Sequence, residues 1–423
     1  MNTKLILFLL FLFVADSALL STFVIDVPGT YKIPNDLSLT ATGTGGSVIL
    51  INASDVKIDF QNNVVQLSNP TVPTIDGIVI NVNLSNIFIH NVSIQNISGS
   101  GIHVLDGCSN ITIQDCAIQN CYGAGIFFDG LSSGTGIKAS TIKTCRISTC
   151  TGAAGAPAYG IRLVQCSTSQ INNCDAAYND ASTTTSGYGI YLESCSNCVV
   201  QKSTAMFNGG TGRVAGVALI TSYTCLLDET TAFNNINRDF GNSGNAAGFL
   251  LNQSYSNVCY RCKSSGNRNS KTSGFGFLAQ TGQENVFQEC IAEHNSGGTV
   301  AAGLQLDGET KSSVLDCKSK NQATTISGTA YGIFLTNNCD KCFVRGNTLT
   351  SNIGISSSFG IKDGRASSTS VVISNYGFNN GTNFSVTYPG TITLPILTGS
   401  LSNILTGLPA LTAAAIDNIS INP

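Results

Sequence analysis

The stretch GIHVLDGCSNITIQDCAIQNCYGAG runs from Gly101 to Gly125 and contains one complete unit of a repeat. It begins with Gly-Ile, and the chain returns to Gly-Ile 24 residues later. A glycine followed by a short apolar stretch recurs at Gly77, Gly101, Gly125, Gly160, Gly189, Gly216, Gly248, Gly276, Gly303, Gly332 and Gly360. The intervals of 24 to 35 residues are typical of repeat architectures, in which each unit stacks on the next.

Within a unit, the residues one and three places after the glycine are almost always apolar, whereas the residue between them varies freely. In the quoted unit, Ile102 and Val104 are the apolar residues and His103 lies between them. This period of two indicates a β-strand with one face in the core and the other outward. No sustained helical period follows the N-terminal segment, so we predict a chain of strands and turns.

Two columns of residues keep a fixed distance from the glycine. Small residues stand fourteen places after it, at Cys174, Ser203, Thr230, Cys262, Cys290, Cys317 and Gly346, and one place later at Cys116. Asparagine stands nineteen places after it, at Asn96, Asn120, Asn179, Asn208, Asn235, Asn267 and Asn295, with near-equivalents at Asn321 and Asn352 and with Cys150 in this place after Gly125. Stacked coils place equivalent residues about 4.8 Å apart, where each amide can donate to one neighbour and accept from the other. We therefore predict an asparagine ladder at one turn.

From about Val48 to Asn380 these units resemble the coils of the right-handed parallel β-helix, the pectate-lyase-like superfamily. The resemblance implies an all-β, single-stranded right-handed parallel β-helix, a solenoid of about 12–13 coils and roughly 60 Å in length. The predicted organisation is a signal peptide over 1–17, an N-terminal cap over 18–47, the β-helix over 48–390 and a C-terminal capping tail over 391–423. The superfamily contains lyases, hydrolases, epimerases and binding or structural proteins, so the fold does not select a function.

The N-terminus predicts export. Lys4 precedes the apolar run LILFLLFLFVA, and small residues follow it, which is the pattern of a secretory signal peptide. The run is short for a membrane span, although a membrane anchor is the alternative. We expect the mature chain to have no membrane span and to be secreted, extracellular or on the cell surface, or periplasmic in a Gram-negative source. The net charge of −3 does not favour nucleic acid as a partner.

The tail after about Tyr388 departs from the repeat and is apolar and poor in charge. We interpret it as a cap that folds back on the open end of the solenoid, where a bare sheet edge would otherwise face water. A segment that docks on a partner is the alternative.

Sixteen cysteines in an exported chain suggest disulfides. The repeat favours buried free thiols instead, because Cys262, Cys290 and Cys317 occupy one column in three successive coils and cannot all pair within it. A pair such as Cys121–Cys150 stays open as an alternative. The three Cys-x-x-Cys pairs lack the arrangement of a zinc site, so we predict no metal and no cofactor.

The candidate site is a strip of outward side chains on consecutive coils. Its predicted catalytic residues are Asp129 and Glu193, two coils apart, whose carboxyl groups would match an inverting hydrolase at roughly 6.5–9.5 Å. The predicted substrate-binding residues are His103, Asp106, Phe127, Arg162 and Tyr191. Aromatic faces, a guanidinium and carboxylates in one strip suit a sugar ligand or an acidic one. A solvated face without catalysis explains the same residues, and Val164 lies between the two carboxylates.

Two functions follow from this strip. The first is an exported, non-catalytic binding or structural surface protein that binds a polysaccharide or a cell-surface glycan. The alternative is a polysaccharide lyase or an inverting glycoside hydrolase that works in a groove on the outward face. The sequence contains no Gly-His-Gly, Asn-Thr-Asp or Arg-Ile-Lys motif, which the resemblance would imply for a polygalacturonase-like enzyme. We therefore favour the binding protein.

Overall fold

The computed structural model describes residues 22–33, 39–41, 46–67, 74–131, 134–152, 155–181, 185–238, 244–337, 339–364, 370–386 and 392–393. Strands and turns account for all of these residues, and the strands pair in parallel with their equivalents in neighbouring coils. The predicted all-β parallel solenoid is confirmed. The predicted signal peptide, 1–17, and the tail beyond residue 393 lie outside the described residues.

Three long sheets and one short sheet form the walls of the solenoid. The first sheet contains 14 strands: Phe23–Ile25, Gly46–Ile51, Ile75–Ile80, Ile102–Val104, Ala124–Asp129, Ala158–Val164, Gly187–Glu193, Val214–Ile220, Asn245–Asn252, Ser273–Gln280, Val300–Asp307, Thr329–Thr336, Ser357–Asp363 and Thr382–Val386. The second contains 16: Gly29–Lys32, Val56–Asp59, Ser85–His90, Ser109–Gln114, Ile137–Lys138, Thr141–Lys143, Cys166–Ser167, Gln170–Asn172, Val199–Gln201, Leu226–Asp228, Val258–Tyr260, Val286–Gln288, Ser313–Leu315, Phe343–Arg345, Val371–Ile373 and Ile392–Thr393. The third contains 13: Leu39–Ala41, Val64–Leu67, Ser93–Ile97, Ala117–Cys121, Arg146–Ser148, Asp175–Ala177, Thr204–Met206, Thr231–Phe233, Lys263–Ser265, Ile291–Glu293, Lys318–Lys320, Thr348–Thr350 and Tyr376–Phe378. The short sheet contains Gly209–Gly210, Ile236–Asn237, Arg268–Asn269, Ser296–Gly297 and Ala323–Thr324. These counts refer to the described residues, and the segment 18–47 already contributes a first strand to each long sheet.

The repeated glycine allows adjacent coils to approach closely. A Cβ on Gly101 would lie 2.5 Å from Cγ2 of Ile118 and 2.6 Å from the carbonyl oxygen of Gly125. The next residue, Ile102, also points into the core and is fully buried. The strand therefore turns two successive positions inward at the glycine, and only a residue without a side chain fits at the first of them.

A ladder of amide side chains follows the turn between the third and first sheets. In the pair Asn179–Asn208, the backbone N–H and Nδ2 of Asn179 both donate to Oδ1 of Asn208, at 3.1 and 2.9 Å. The rungs are Asn179, Asn208, Asn235, Asn267, Asn295, Gln322, Asn352 and Asn380. Cys150 stands in the asparagine place of its unit, as predicted, and donates its backbone N–H to Asn179. The ladder satisfies polar groups that would be costly to bury unpaired.

Three predicted rungs lie outside this ladder. Asn96, Asn120 and Asn321 are one position too early and have positive φ angles of 56, 54 and 55°. Asparagine tolerates this left-handed conformation, and there it points outward. Asn120 donates to Asn96 at the surface, whereas the following residues, Ile97 and Cys121, are the ones that point inward.

The column of small residues also shifts by one place in a late coil. Gly346, a predicted member of this column, has a φ of 71° and lies in the turn. The buried member is Asn347, whose Oδ1 accepts the backbone N–H of Cys317 at 2.8 Å.

All sixteen cysteines are free and buried, as the column pattern predicted. Most of their thiols donate to a carbonyl oxygen of an adjacent coil, as Cys174 does to Ile142 at 3.6 Å, whereas the thiols of Cys116, Cys121, Cys150 and Cys166 donate to the carbonyl oxygen two residues earlier. Burial raises the pKa of the Cys108 thiol to about 11, so this thiol stays protonated and unreactive at neutral pH.

Candidate functional site

Four predicted binding residues occupy successive rungs on the outward face of the first sheet. His103 pairs in register with Phe127, Phe127 with Arg162, and Arg162 with Tyr191. Parallel pairing places each side chain about 4.8 Å from the next. We call the surface formed by these residues, together with Asp76, Asp129, Tyr159 and Glu193, the polar strip.

His103 lies between two carboxylates from neighbouring coils. Its Nδ1 is 2.9 Å from Oδ2 of Asp76, whose Oδ1 accepts the backbone N–H of Ser100 at 2.6 Å. Because a carboxylate only accepts, Nδ1 carries a proton. On the other side, Nε2 is 3.9 Å from Oδ2 of Asp129, and within the described part of the chain it has no hydrogen-bond partner. This nitrogen is therefore buried without a partner, a cost that a hydrogen bond from a ligand group would relieve.

Phe127 is stacked between a histidine ring and a guanidinium. The His103 and Phe127 rings are nearly parallel, with centroids 4.8 Å apart, and the Arg162 guanidinium carbon lies 4.7 Å from the Phe127 centroid. The same guanidinium is 4.8 Å from the Tyr159 ring and 3.4 Å from Oε2 of Glu193. A cation held over aromatic faces has few alternative positions, so Arg162 is fixed as a directed donor.

Three tyrosines form the border of the strip. Tyr159 stacks on Tyr188, with centroids 5.6 Å apart, and packs edge to face on Tyr191 at 5.0 Å. Burial raises the pKa of Tyr159 to about 12, and burial followed by the charge of Glu193 raises the pKa of Tyr191. Both hydroxyls therefore remain protonated and can donate near neutral pH.

The two predicted catalytic carboxylates lie two rungs apart, with Val164 between them in the register. Val164 is fully buried and offers no polar group between the two carboxylates. Asp129 faces His103 and also accepts the backbone N–H of Leu131 at 3.2 Å. Glu193 pairs with Arg162. Each carboxylate is thus held by a different cationic or polar group, and the inverting pair stays a prediction.

Asp106 does not join the polar strip. The strand ends at Val104, and Asp106 is completely buried in the following turn. Its Oδ1 accepts the backbone N–H of Gly107 at 2.7 Å and the hydroxyl of Thr135 at 3.2 Å. The expectation that it points outward is wrong because the alternation of faces ends where the strand ends.

The sequence pattern missed three members of the site. Asp76, Tyr159 and Tyr188 each precede a repeat glycine by one position. Because the strand turns two successive residues inward at the glycine, the position before it returns to the outward face. The position before each repeat glycine thus forms a second outward column. Strict alternation counted from the glycine predicts that this position points inward, so the sequence pattern does not identify it.

Across the described ranges, no three or more His, Cys, Asp or Glu side chains are arranged to hold a metal ion. The same part of the chain has no helix long and apolar enough to cross a membrane.

Sequence comparison identifies the repeat. The sequence model of the family described as "Right handed beta helix region" matches residues 76–237, which contain the whole polar strip. A search of curated protein sequences returns no match.

Solved structures share the fold over most of the chain. The A-module of the Azotobacter vinelandii mannuronan C-5 epimerase AlgE4 is similar at 13% identity and a TM-score of 0.57, over 86% of this chain and 91% of that one. The corresponding module of AlgE6 gives the same identity and TM-score, over 88% and 91%. The periplasmic alginate epimerase AlgG is similar at 12% identity and a TM-score of 0.51, over 84% and 79%. At these identities the likeness concerns the fold.

Proposed function

We propose that this chain, whose described strands form a parallel β-helix and whose residues 76–237 match the model of the right-handed β-helix region, binds a polysaccharide chain along the polar strip. The single observation that supports this most is the register of His103, Phe127 and Arg162 on adjacent coils. A row of aromatic rings and hydrogen-bonding groups at coil spacing matches an extended ligand with repeated rings and hydroxyls. Such a ligand gains from stacking and from fixed donors and acceptors.

The charges of the strip favour a neutral polysaccharide over a polyuronate. The carboxylates are Asp76, Asp129 and Glu193, whereas Arg162 and, when protonated, His103 supply the positive charge. Carboxylates accept hydrogen bonds from sugar hydroxyls, but they repel a ligand carboxylate in the same space. Mannuronan and alginate belong in the panel nevertheless, because the similar structures are epimerases named for these polymers.

The test is affinity electrophoresis in gels that contain one neutral or acidic polysaccharide each, followed by calorimetric titration with oligosaccharides of the retained polymer. We expect Phe127→Ala to weaken binding about fivefold, since an aromatic stack contributes about 1 kcal/mol. Arg162→Gln should weaken it by a similar factor through the loss of a charge-assisted hydrogen bond.

Arg261→Gln is the matched control. Arg261 also lies over an aromatic ring, Tyr260 at 4.6 Å, and also pairs with a carboxylate, Glu289 at 2.9 Å, but it lies on the second sheet side. It should bind like the wild type. The proposal fails if no polysaccharide retards the wild-type chain, or if the strip variants bind as tightly as the control.

An enzyme is the second candidate, and the arrangement Asp76–His103–Asp129 favours it. A histidine oriented by one carboxylate, with its second nitrogen unpaired, has the form of a general base or acid. The alternative activities are those of a polysaccharide lyase or an inverting hydrolase with Asp129 and Glu193. Reducing ends or unsaturated products from the same polymers, abolished by Asp129→Asn or Glu193→Gln, would replace the binding proposal, whereas retention without turnover would exclude the enzyme.

The proposed function also includes export, which the predicted signal peptide over 1–17 would direct. A fusion of this segment to a reporter should be secreted and cleaved near Ser17, and retention of the reporter in the cytoplasm would contradict export.

A further inference from the structure

The two ends of the polar strip differ in charge. At one end, the guanidinium of Arg162 lies 3.4 Å from Oε2 of Glu193, so a positive and a negative charge offset each other. At the other end, His103 lies between the carboxylates of Asp76 and Asp129. Within the described residues, neither of these carboxylates forms an ion pair with a lysine or an arginine. We refer to Asp76, His103 and Asp129 as the acidic end of the strip.

The acidic end also has two hydrogen-bond acceptors that face each other. Because Nδ1 of His103 donates its proton to Asp76 at 2.9 Å, a neutral imidazole leaves Nε2 as an acceptor. Oδ2 of Asp129 lies 3.9 Å from Nε2 and is an acceptor as well. In the described part of the chain no donor joins them, since Nε2 has no hydrogen-bond partner. The acidic end therefore lacks a donor that serves both atoms at once.

An ammonium group meets this need better than a hydroxyl group does. A hydroxyl donates one hydrogen bond, so it serves either Nε2 of His103 or Oδ2 of Asp129, whereas an ammonium donates three and serves both. The ammonium also places a positive charge beside two carboxylates, and such charge-assisted hydrogen bonds are roughly twice as strong as neutral ones. A ligand carboxylate has no proton to donate and is repelled.

The Arg162 guanidinium is too far along the strip to prevent a positive group from binding at the acidic end. The register places Arg162 two rungs from His103, with Phe127 between them, which corresponds to about 9.6 Å. Glu193 lies beside the guanidinium and offsets its charge. Its repulsion is therefore weaker than the attraction of the two carboxylates next to the bound group.

We propose that the acidic end binds the ammonium group of an amino sugar, so that the ligand of the polar strip is a polysaccharide with free amino groups. Asp129, whose side chain is 24% exposed, is the first contact, and the buried Nε2 of His103 becomes the second as the Asp129 side chain turns towards the ligand. This inference rests on the proposed function, polysaccharide binding along the strip, and adds the class of sugar.

The test compares three oligosaccharides of equal length that share one backbone and differ in one substituent. Chitosan oligosaccharides carry the free amino group, chitin oligosaccharides carry it acetylated, and cellulose oligosaccharides carry a hydroxyl group in its place. In calorimetric titrations of the full-length chain, the chitosan oligosaccharide should bind at least about tenfold more tightly than the other two, as a hydrogen bond to a charged group predicts.

Two matched variants show whether this preference comes from the acidic end or from the negative net charge of −3. Asp129→Asn keeps an acceptor oxygen but removes the charge, so it should reduce the preference for chitosan over cellulose oligosaccharides to about twofold or less. Glu289→Gln removes the same charge on the second sheet side, where Glu289 pairs with Arg261, and should keep the full preference. An equal loss in both variants would assign the preference to the overall charge and would overturn the inference.

The imidazole nitrogens give a second readout that needs no variant. The chain has three histidines, and the nitrogen-15 resonance of Nε2 in His103 should shift when the chitosan oligosaccharide donates to it, whereas those of His90 and His294 should stay in place. A His103 resonance that does not move at saturation would contradict the proposed contact.

The same titrations separate this inference from the proposed function. Cellulose or chitin oligosaccharides that bind as tightly as the chitosan oligosaccharide would overturn the preference for amino groups and leave polysaccharide binding in place. Binding of none of the three would also overturn it, and the panel of polymers would then decide alone whether the strip binds a polysaccharide.

Discussion

The outward face of the first sheet differs between the two halves of the solenoid. In the early half it carries Asp76, His103 and Arg162, which are partly exposed; Asp76 pairs with His103, and Arg162 pairs with Glu193. In the late half the same columns carry Ala218 and Leu250, which are completely buried. The backbone register is continuous between them. The fold therefore fixes where the side chains stand but leaves the outward columns free to form either a polar surface or an apolar one.

The inward side of one turn shows the same freedom. In the early half Ile97, Cys121 and Cys150 fill the turn before the first sheet, and in the late half asparagines fill it. Both solutions bury the turn completely, either by apolar contact or by a closed chain of hydrogen bonds. The inward residues one and three places after each glycine pack the core in both halves. Substitutions at the other positions can therefore change the outward face or the turn of one half and leave the other half intact.

The largest expected effect is that of a charge on the outward face of the late half. Leu250→Asp should cost about 4 kcal/mol of unfolding free energy, because an unpaired carboxylate would be buried. The matched change Val79→Asp, in the same column but in the open early half, should cost about 1 kcal/mol or less, mainly through strand propensity. Urea unfolding of the full-length variants measures both. Equal losses would show that the two halves of the face do not differ in burial.

A break in the asparagine ladder should have the next largest effect. Asn267 accepts both the backbone N–H and Nδ2 of Asn235 and donates to Asn295. Asn267→Ala leaves these buried donors without an acceptor, at a cost of about 3 kcal/mol. Asn172→Ala, on an outward strand position, should change stability by about 0.5 kcal/mol or less. Comparable thermal shifts in the two variants would argue against the ladder as the support of the late half.

The late half should also carry a pH dependence that comes from one buried carboxyl group, Glu309. Burial raises the pKa of Glu309, although Asn285, Ser312 and the Gly282 N–H donate to its carboxylate. A raised pKa means that Glu309 binds its proton more tightly in the folded chain than in the unfolded chain. The protonated carboxyl group therefore stabilises the fold, and this stabilisation is lost as the pH rises from the usual Glu range through the raised pKa. Glu309→Gln should flatten this part of the stability curve measured by urea unfolding. An unchanged slope would assign the pH dependence elsewhere.

The smallest expected effect is that of thiol chemistry. All sixteen cysteines are buried and free in both halves, so a reductant should leave the melting temperature unchanged. Ellman's reagent should not react with the native chain and should detect all sixteen thiols after unfolding. A melting temperature that falls on reduction would reveal disulfides such as Cys121–Cys150 and would contradict the free state of the cysteine thiols.

Much of this architecture follows from the sequence because the repeat imposes one geometry on every coil. The glycine, the two inward residues after it and the outward residue between them predict the first sheet and the row from His103 to Tyr191. The cysteine columns follow as well, since a run of three in one column cannot pair internally. These features depend on local spacing, which the sequence displays directly.

The errors arise where the local backbone departs from strict alternation. Asp106 is counted outward, but its strand ends two residues earlier and the turn buries it. Asn120 is counted as a rung, but its left-handed backbone turns it outward. Asp76 escapes notice because the glycine reverses the alternation before it. The sequence shows that Arg162 is charged and Leu250 is apolar, but it does not show how exposed each side chain is, because exposure depends on what packs above the sheet.

Hydroxyl-radical footprinting of the full-length chain, with and without saturating oligosaccharide of the polymer that it retains, tests both halves of the outward face in one measurement. Without ligand, His103, Phe127 and Tyr159 should be oxidised, while Phe275 and Leu278 should remain unmodified. With ligand, the first three should become protected and the last two should not change. Oxidation of Phe275 and Leu278 as readily as Phe127 would contradict the division of the outward face into a polar and a buried apolar half, and a polar strip left unprotected by saturating ligand would contradict polysaccharide binding.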